Sequence, residues 1–424
     1  MDMKEICKVF AKPYPELVPE KYYLALTTCG VMDFDNISWN KALGTKVYNA
    51  LTETQEKKFE EIILDIGSDI DYYMQVYKKT MSVFDHLQPA KVDLIQYKVL
   101  MNSDSVSNDS KIILEKWKPD GQGFLPLPTY NLSSSVTGRM KIVSGPNALL
   151  LPKDLRKILK SRHGKEGSLW YLDFVSLEPR VALAIHKFLS SVGMLGDVPK
   201  QGAQTGLVSN SISNVSLSIV GYPPQLSELL EYKGNSLISP LPEDVYQDAL
   251  KYLKLSSEID RSMLKQIVLP QIYGQSKHNT IETMEKKNIR KPEEVVDMVN
   301  EFFGIDDLRQ YVARDLQNND CKYLRTFYGK HISPDDSRPY TLLNYYIQSL
   351  AVDVALLGFK SILDRVAKVP NASSLICPIF FIHDAMVLDV HSSMDHHLNS
   401  LMNLGSKNIP GFPEHKFHMS ATKL

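Results

Sequence analysis

Two aspartates in this chain stand where an apolar, strand-like run stops. In SLWYLDF the run ends at Asp173. In PIFFIHDAMVLDV two β-rich runs flank His383, Asp384 and Ala385, the pattern of a tight hairpin with Asp384 near its tip. Carboxylate oxygens are the hard ligands that Mg²⁺ prefers. Two of them, brought together from separate strand ends, could hold a pair of divalent ions about 4 Å apart, one activating an attacking hydroxyl and one steadying a triphosphate. Taken singly, an aspartate at a strand end is usually a turn or cap residue. A second feature is cationic: Arg261, Lys265, Leu269 and Tyr273 in RSMLKQIVLPQIYG recur at every fourth position, a slowly rotating stripe on one helix face. Two cations followed by an apolar and an aromatic residue suit a nucleotide, with phosphates on the cations and base and sugar against the ring. An ordinary amphipathic helix with exposed charges reads the same way. Asn344 and Gln348 share a face of TLLNYYIQSLAVDVALLGF. Amides there could reach bases or minor-groove acceptors, or serve as capping and core hydrogen-bonding groups.

These residues need a large scaffold to meet. The 424 residues are 43% hydrophobic and 23% charged, a globular composition with room for two or three domains or one multi-lobed enzyme. No run approaches the roughly 20 apolar residues of a membrane span, so no membrane partner is expected. The N-terminus MDMKEICKVF has early acidic residues and no apolar h-region, which predicts no secretory signal. Cys7, Cys29, Cys321 and Cys377 form no CxxC pair and suit free thiols in a reducing compartment, so a cytoplasmic location is expected, the host cytoplasm if the chain is virus-encoded. A net charge of −1 does not mark a nucleic-acid binder. Locally the balance differs: Arg139, Lys141, Lys153, Arg156, Lys157, Lys160, Arg162 and Lys165 face one acid, Asp154. Such a strip can replace the counterions of a phosphate backbone, or be a solvated basic face.

Residues 1–52 show no clear periodicity. From Glu53 to about Asn102 the apolar spacing predicts a pair of long helices, and IILEKW a further helical piece. KPDGQGFLPLPTYNLSSS reads as loop. A strand SLWYLDF, a helix SLEPRVALAIHKFL and a Ser-, Gly- and Asn-rich stretch over 190–242 follow, then helices from Glu243 to about Leu316. KYLRTFYG reads as strand, a long helix starts near Thr341, and the PIFFIHDAMVLDV hairpin closes the pattern. HSSMDHHL reads as a surface helix rather than a metal cluster of His391, His396 and His397.

TGR at 137–139, DFVSLEPR at 173–180, RSMLKQIVLPQIYG at 261–274, NYYIQ at 344–348 and IHDA at 382–385 stand in the order found in family A, DNA polymerase I-like, DNA polymerases. Over roughly 126–424 the chain resembles that family. The resemblance implies an α+β, right-hand polymerase fold with an antiparallel palm sheet and helical fingers and thumb. The implied division is 1–52 with no assigned role, 53–125 thumb, 126–189 first part of the palm, 190–242 inserted lobe, 243–320 fingers and 321–424 second part of the palm. It implies two Mg²⁺ ions, with Mn²⁺ able to substitute, on Asp173, Asp384 and the Phe174 carbonyl. Arg261, Lys265, Leu269 and Tyr273 would bind the dNTP, and Glu178 would block a ribose 2′-hydroxyl. Arg139, Lys141, Arg156, Asn344, Gln348 and His383 would contact primer–template DNA. The DVY at 244–246 resembles the start of the fingers.

Departures accompany the likeness. Ala385 stands where the family usually has glutamate, and Leu269 and Pro270 replace an aromatic and a glycine. A proline inside a helix deletes one hydrogen bond and is expected to bend it, at about 3 kcal/mol unless accommodated. The polar residue expected between Asp173 and Glu178 is reduced to Ser176. Residues 1–125 are too few for a thumb plus a proofreading exonuclease, so an exonuclease-free enzyme of phage or plasmid type is expected. A single-subunit RNA polymerase, a primer-making polymerase and a degenerate DNA-binding replisome scaffold are the alternatives. The 190–242 insert is expected to contact DNA or a replisome protein such as a helicase, primase or processivity factor.

Overall fold

The computed structural model describes residues 2–34, 36–152, 154–195, 241, 243–255, 258–334, 341–407, 409–412 and 415–424. Most of the 190–242 insert, and Lys153 of the basic strip, therefore lie outside the described residues.

A four-stranded antiparallel sheet organises the molecule. Its strands are β1 (Gly167–Phe174), β2 (Ile376–Ile382), β3 (Ala385–His391) and β4 (Met419–Lys423), in the order β4-β1-β3-β2. Every residue of β2 is buried, as are the first six of β3, so ICPIFFI and AMVLDV lack the polar alternation of a half-solvated strand. The reason is that both faces are covered. Leu172, Phe174, Phe381, Met386, Leu388 and Val390 enter the main core, whereas Leu169, Ile379, Phe380, Ile382 and Val387 enter a second cluster built on Trp117, Leu114 and Leu155.

Among the described residues, three short helices within 3–43 precede α1 (Thr45–Ile66) and α2 (Asp69–Met81). The first of the two long helices expected over 53–102 is broken at Gly67, whose φ of +62° suits a residue without a Cβ. The second is the shorter helix Leu94–Asn102. Residues 1–52 hold more structure than their sequence suggests. Helix Met3–Val9 leads into Phe10, which is fully buried and packs edge-on to Tyr73 at 6.1 Å and to His331 at 5.1 Å. The stretch KYLRTFYG is strand only at Leu324–Arg325, which pairs with His331–Ile332 across a turn closed by Thr326 N–H donating to the Lys330 carbonyl at 2.8 Å.

Helix α3 (Leu177–Ser191) follows β1, and a helical lobe comprises α4 (Val245–Tyr252), α5 (Arg261–Ile272), α6 (Lys277–Glu285), α7 (Pro292–Phe303) and α8 (Ile305–Asn318). Helix α9 (Leu342–Lys368) runs through the main core, packed on α2, α3, α8 and α10 (Leu398–Gly405). Among the described helices it is the one long and apolar enough to cross a membrane, contrary to the expectation that no run comes close. Its most apolar window is 78% buried inside the protein, so its apolarity is that of a core helix. His391 to His397 includes a short 3₁₀ helix at Ser392–His397, and no group of three or more metal-ligating side chains occurs among the described residues.

Candidate active site

The sheet brings the two aspartates together. Asp173 is the penultimate residue of β1, and the β1–β3 ladder pairs it directly with Ala385, the residue after Asp384. The Phe174 N–H donates to the Asp384 carbonyl at 3.3 Å, tying the hairpin tip to the end of β1. That tip is the two-residue turn His383–Asp384, with Ile382 paired to Ala385 and His383 in the left-handed region at φ +56°. Beyond Phe174 the chain reverses: Val175 N–H donates to the His418 carbonyl at 2.8 Å, Ser176 takes φ +55°, and α3 begins. Glu178 and Pro179 lie in its first turn, a position where a proline's missing N–H has no intrahelical use.

Asp173, Phe174, Glu178 and Asp384 share a pocket of about 380 Å³ with Arg139, Lys265, Leu269, Tyr273, Gln348 and His383. The electrostatics report the same proximity. Burial, and then the charge of Asp384, push the Asp173 carboxyl up to about 7, against the pull of Lys265. Asp384 is also raised, first by burial, with His383, Arg139 and Lys265 opposing. Tyr171, two residues before Asp173, is pushed up to about 12 by burial and then by both aspartates. Two acids facing one small space strain each other, and a divalent cation would relieve that strain. With the Phe174 carbonyl that the family resemblance adds, the two carboxylates would form an all-oxygen set. Such a set suits Mg²⁺, which keeps several waters and takes its remaining ligands from substrate phosphates. Manganese accepts the same ligands.

Of the cationic stripe on α5, Lys265, Leu269 and Tyr273 line the pocket and Arg261 does not. A spacing of four residues advances roughly 40° per step, so Arg261 lies roughly 120° round the helix from Tyr273. Asp244 completes the separation. It caps α4 by accepting from the N–H groups of Tyr246 and Gln247, and its other oxygen accepts from Arg261 Nε at 2.8 Å. The Arg261 guanidinium lies 5.2 Å from the centre of the Tyr246 ring. Tyr246 is 1% exposed and walls the pocket beside Ser176; the sequence reading noted it only as part of DVY. Met140, Ala351 and Val352 also line the pocket and were not singled out. The latter two follow Gln348 at i+3 and i+4, a spacing that could have flagged them.

Glu178 is held from both sides. The Tyr273 hydroxyl donates to one carboxylate oxygen, and Arg139 Nη2 lies 3.5 Å from the other. Pro270 does not break α5: the proline sits in its last turn, and the carbonyl it deprives belongs to exposed Gln266. Ala385 is fully buried directly across from Asp173. Asn344 does not line the pocket, and its side-chain carbonyl is buried without a protein hydrogen bond. Lys141 donates to the Ser134 carbonyl at 3.1 Å and Arg156 to the Leu151 carbonyl at 2.9 Å; neither lines the pocket.

No protein-family profile matches the chain, and no curated protein matches its sequence. Among solved structures it is similar to the POL domain of Pol1 from M. smegmatis, in complex with DNA primer-template and dNTP. The identity is 15% and the TM-score 0.46, over 85% of this chain and 65% of that domain. The chain thus spans less than two thirds of the polymerase domain it matches.

Proposed function

We propose that the chain is a template-directed DNA polymerase of the family A kind, which adds dNTPs to a primer 3′ end and does not proofread. One observation carries this reading: Asp173 near the end of β1 and Asp384 in the turn before the adjacent β3, more than two hundred positions apart, share a pocket with Lys265 on a facing helix. On this reading the four-stranded sheet is the palm, α4 to α8 are the fingers, and α1 and α2 belong to the thumb side.

Two bound Mg²⁺ ions would lower the pKa of the primer 3′-hydroxyl and neutralise charge on the triphosphate. The protein's own groups hold and orient. Asp173, Asp384 and the Phe174 carbonyl supply the oxygen ligands. Lys265 faces the triphosphate, and Arg261 reaches it only by leaving Asp244. Glu178, fixed between Arg139 and Tyr273, occupies the space beside the sugar and disfavours a 2′-hydroxyl. Gln348, His383 and Arg139 face the primer end, while Lys141 and Arg156 contact the duplex backbone farther out.

Primer extension with Mg²⁺ and dNTPs tests the proposal. The wild-type protein is expected to extend a primed template without degrading it, and Asp173→Ala and Asp384→Ala to abolish extension. Normal extension by either variant contradicts the metal-ligand assignment. Extension from rNTPs without a primer indicates a primer-making or RNA polymerase instead, and duplex binding with no incorporation under any divalent ion indicates a DNA-binding scaffold.

A further inference from the structure

Helix α5 carries Lys265, Leu269 and Tyr273 into the pocket, and at its C-terminal end the backbone N–H groups of Tyr273, Gln275 and Gly274 reach the carbonyls of Leu269, Pro270 and Gln271. Pro270 removes a hydrogen bond from the last turn, and the last carbonyls of any helix lack intrahelical donors. Behind that end stands Arg309, on α8. Its Nη2 donates to the Gln271 carbonyl at 2.7 Å, to the Gln271 side-chain oxygen at 3.2 Å and to the Gln275 carbonyl at 3.3 Å. Its Nη1 donates to Asp306 at 3.1 Å, which fixes the fork from the other side. Gln271 is fully buried, so if the guanidinium goes its side-chain oxygen has no water to turn to and its carbonyl keeps only the Gly274 N–H at 3.2 Å. A cation at this point also complements the negative end of the helix dipole.

The residues gripped by Arg309 bracket Tyr273. Gln271 lies two positions before it and Gln275 two after, and Tyr273 is the residue whose hydroxyl fixes Glu178. With its two oxygens engaged by Tyr273 and Arg139, the Glu178 carboxylate cannot swing aside to accept a sugar hydroxyl. Arg309 itself lies on the far side of Tyr273, in a cavity of about 1070 Å³ shared with Pro270, Gly274 and Asn279, and does not line the pocket of the aspartates.

We propose that Arg309 is a positioning residue that sets sugar discrimination by clamping the end of α5, so that Tyr273 stays on Glu178. The inference rests on the polymerase reading for its consequence but not for its geometry. Arg309→Met keeps the aliphatic bulk and removes every donor; Arg309→Lys keeps the charge and loses the fork. In primer extension, Arg309→Met is expected to lower the preference for dNTP over rNTP about tenfold, the size of one charge-assisted hydrogen bond. Arg309→Lys should fall between it and the wild type. Tyr273→Phe should lower the preference similarly, and Arg309→Met combined with Tyr273→Phe no further, because both act through one contact. Unchanged discrimination in Arg309→Met, or full additivity in the double variant, overturns the clamp. Amide hydrogen exchange gives a readout independent of activity: Arg309→Met should speed exchange over 271–276 while β1 and β3 stay protected. If the wild-type protein extends no primer, the polymerase reading fails, and exchange alone decides the clamp: unchanged rates over 271–276 overturn it.

Discussion

The two walls of the pocket are built on different principles. The aspartates sit on a sheet wall where β1, β3 and the His383–Asp384 turn are locked by consecutive ladder pairs and covered on both faces. The opposite wall, α5, buries Leu264, Ile267, Val268 and Ile272 in the main core. On the pocket side and at its ends, however, it is held by a few polar side-chain contacts: Arg261 on Asp244, Tyr273 on Glu178, and Arg309 on the last carbonyls. Backbone ladders fix ligand positions without depending on any one side chain, which suits groups that must hold cations in one geometry. Polar side-chain contacts can be exchanged for a substrate, which suits groups that must let a nucleotide in and out. One wall is for holding and the other for trading partners.

The largest effects should come from the sheet wall. Asp173→Asn and Asp384→Asn are expected to lower primer extension by about 10³-fold or more, since each removes several kcal/mol of charge stabilisation. Stability in urea no lower than the wild type's in either variant would show that chemistry and not folding was lost. On the helical wall, Lys265→Ala should cost on the order of 10²-fold in kcat/KM for dNTP, the scale of one lost electrostatic contact to a developing charge. If Lys265→Ala costs as much as the aspartate variants, the contrast between the walls fails.

Ala385→Glu sharpens the comparison through stability. The new carboxylate would be enclosed beside Asp173, on the same side of the ladder, where Ala385 has no exposure. A loss of about 3–5 kcal/mol in urea unfolding with chelator present is expected, the usual cost of an uncompensated buried charge. A smaller effect concerns pH. The folded-state pKa of Asp173, raised to about 7, exceeds its value in an unfolded chain. Its contribution to stability is therefore fully present at low pH and lost as pH rises through about 7. In chelator, Asp173→Asn should melt higher than the wild type at pH 8.5, and the gap should narrow steadily as pH falls towards about 4, where the unfolded aspartate also keeps its proton. Added Mg²⁺ should raise the melting temperature of the wild type alone.

The two walls also differed in how far the sequence disclosed them. SLWYLDF and PIFFIHDAMVLDV announced a strand end and a hairpin tip, and the ladder does the rest, because pairing Asp173 with Ala385 leaves little freedom for Asp384. The α5 stripe was legible as a stripe, but not the fate of Arg261, which depends on a cap residue, Asp244, from another helix. Tyr246 escaped for the same reason: its place on the pocket wall is set by how α4 packs on α5, and a lone buried tyrosine gives no periodic signal. Phe10 and its helix were missed because seven residues are too few for a period to declare itself. Pro270 falls in the last turn of α5, which continues past it to Ile272, and the carbonyl it deprives belongs to an exposed residue.

The central claim is that Asp173 and Asp384 form one cation site. Mn²⁺ titration followed by electron paramagnetic resonance, at pH 8 with dNTP present, tests it without requiring turnover. The account predicts tight Mn²⁺ binding by the wild-type protein that falls at least tenfold in both Asp173→Asn and Asp384→Asn, since the ion needs both carboxylates. Unchanged binding in either variant would contradict it.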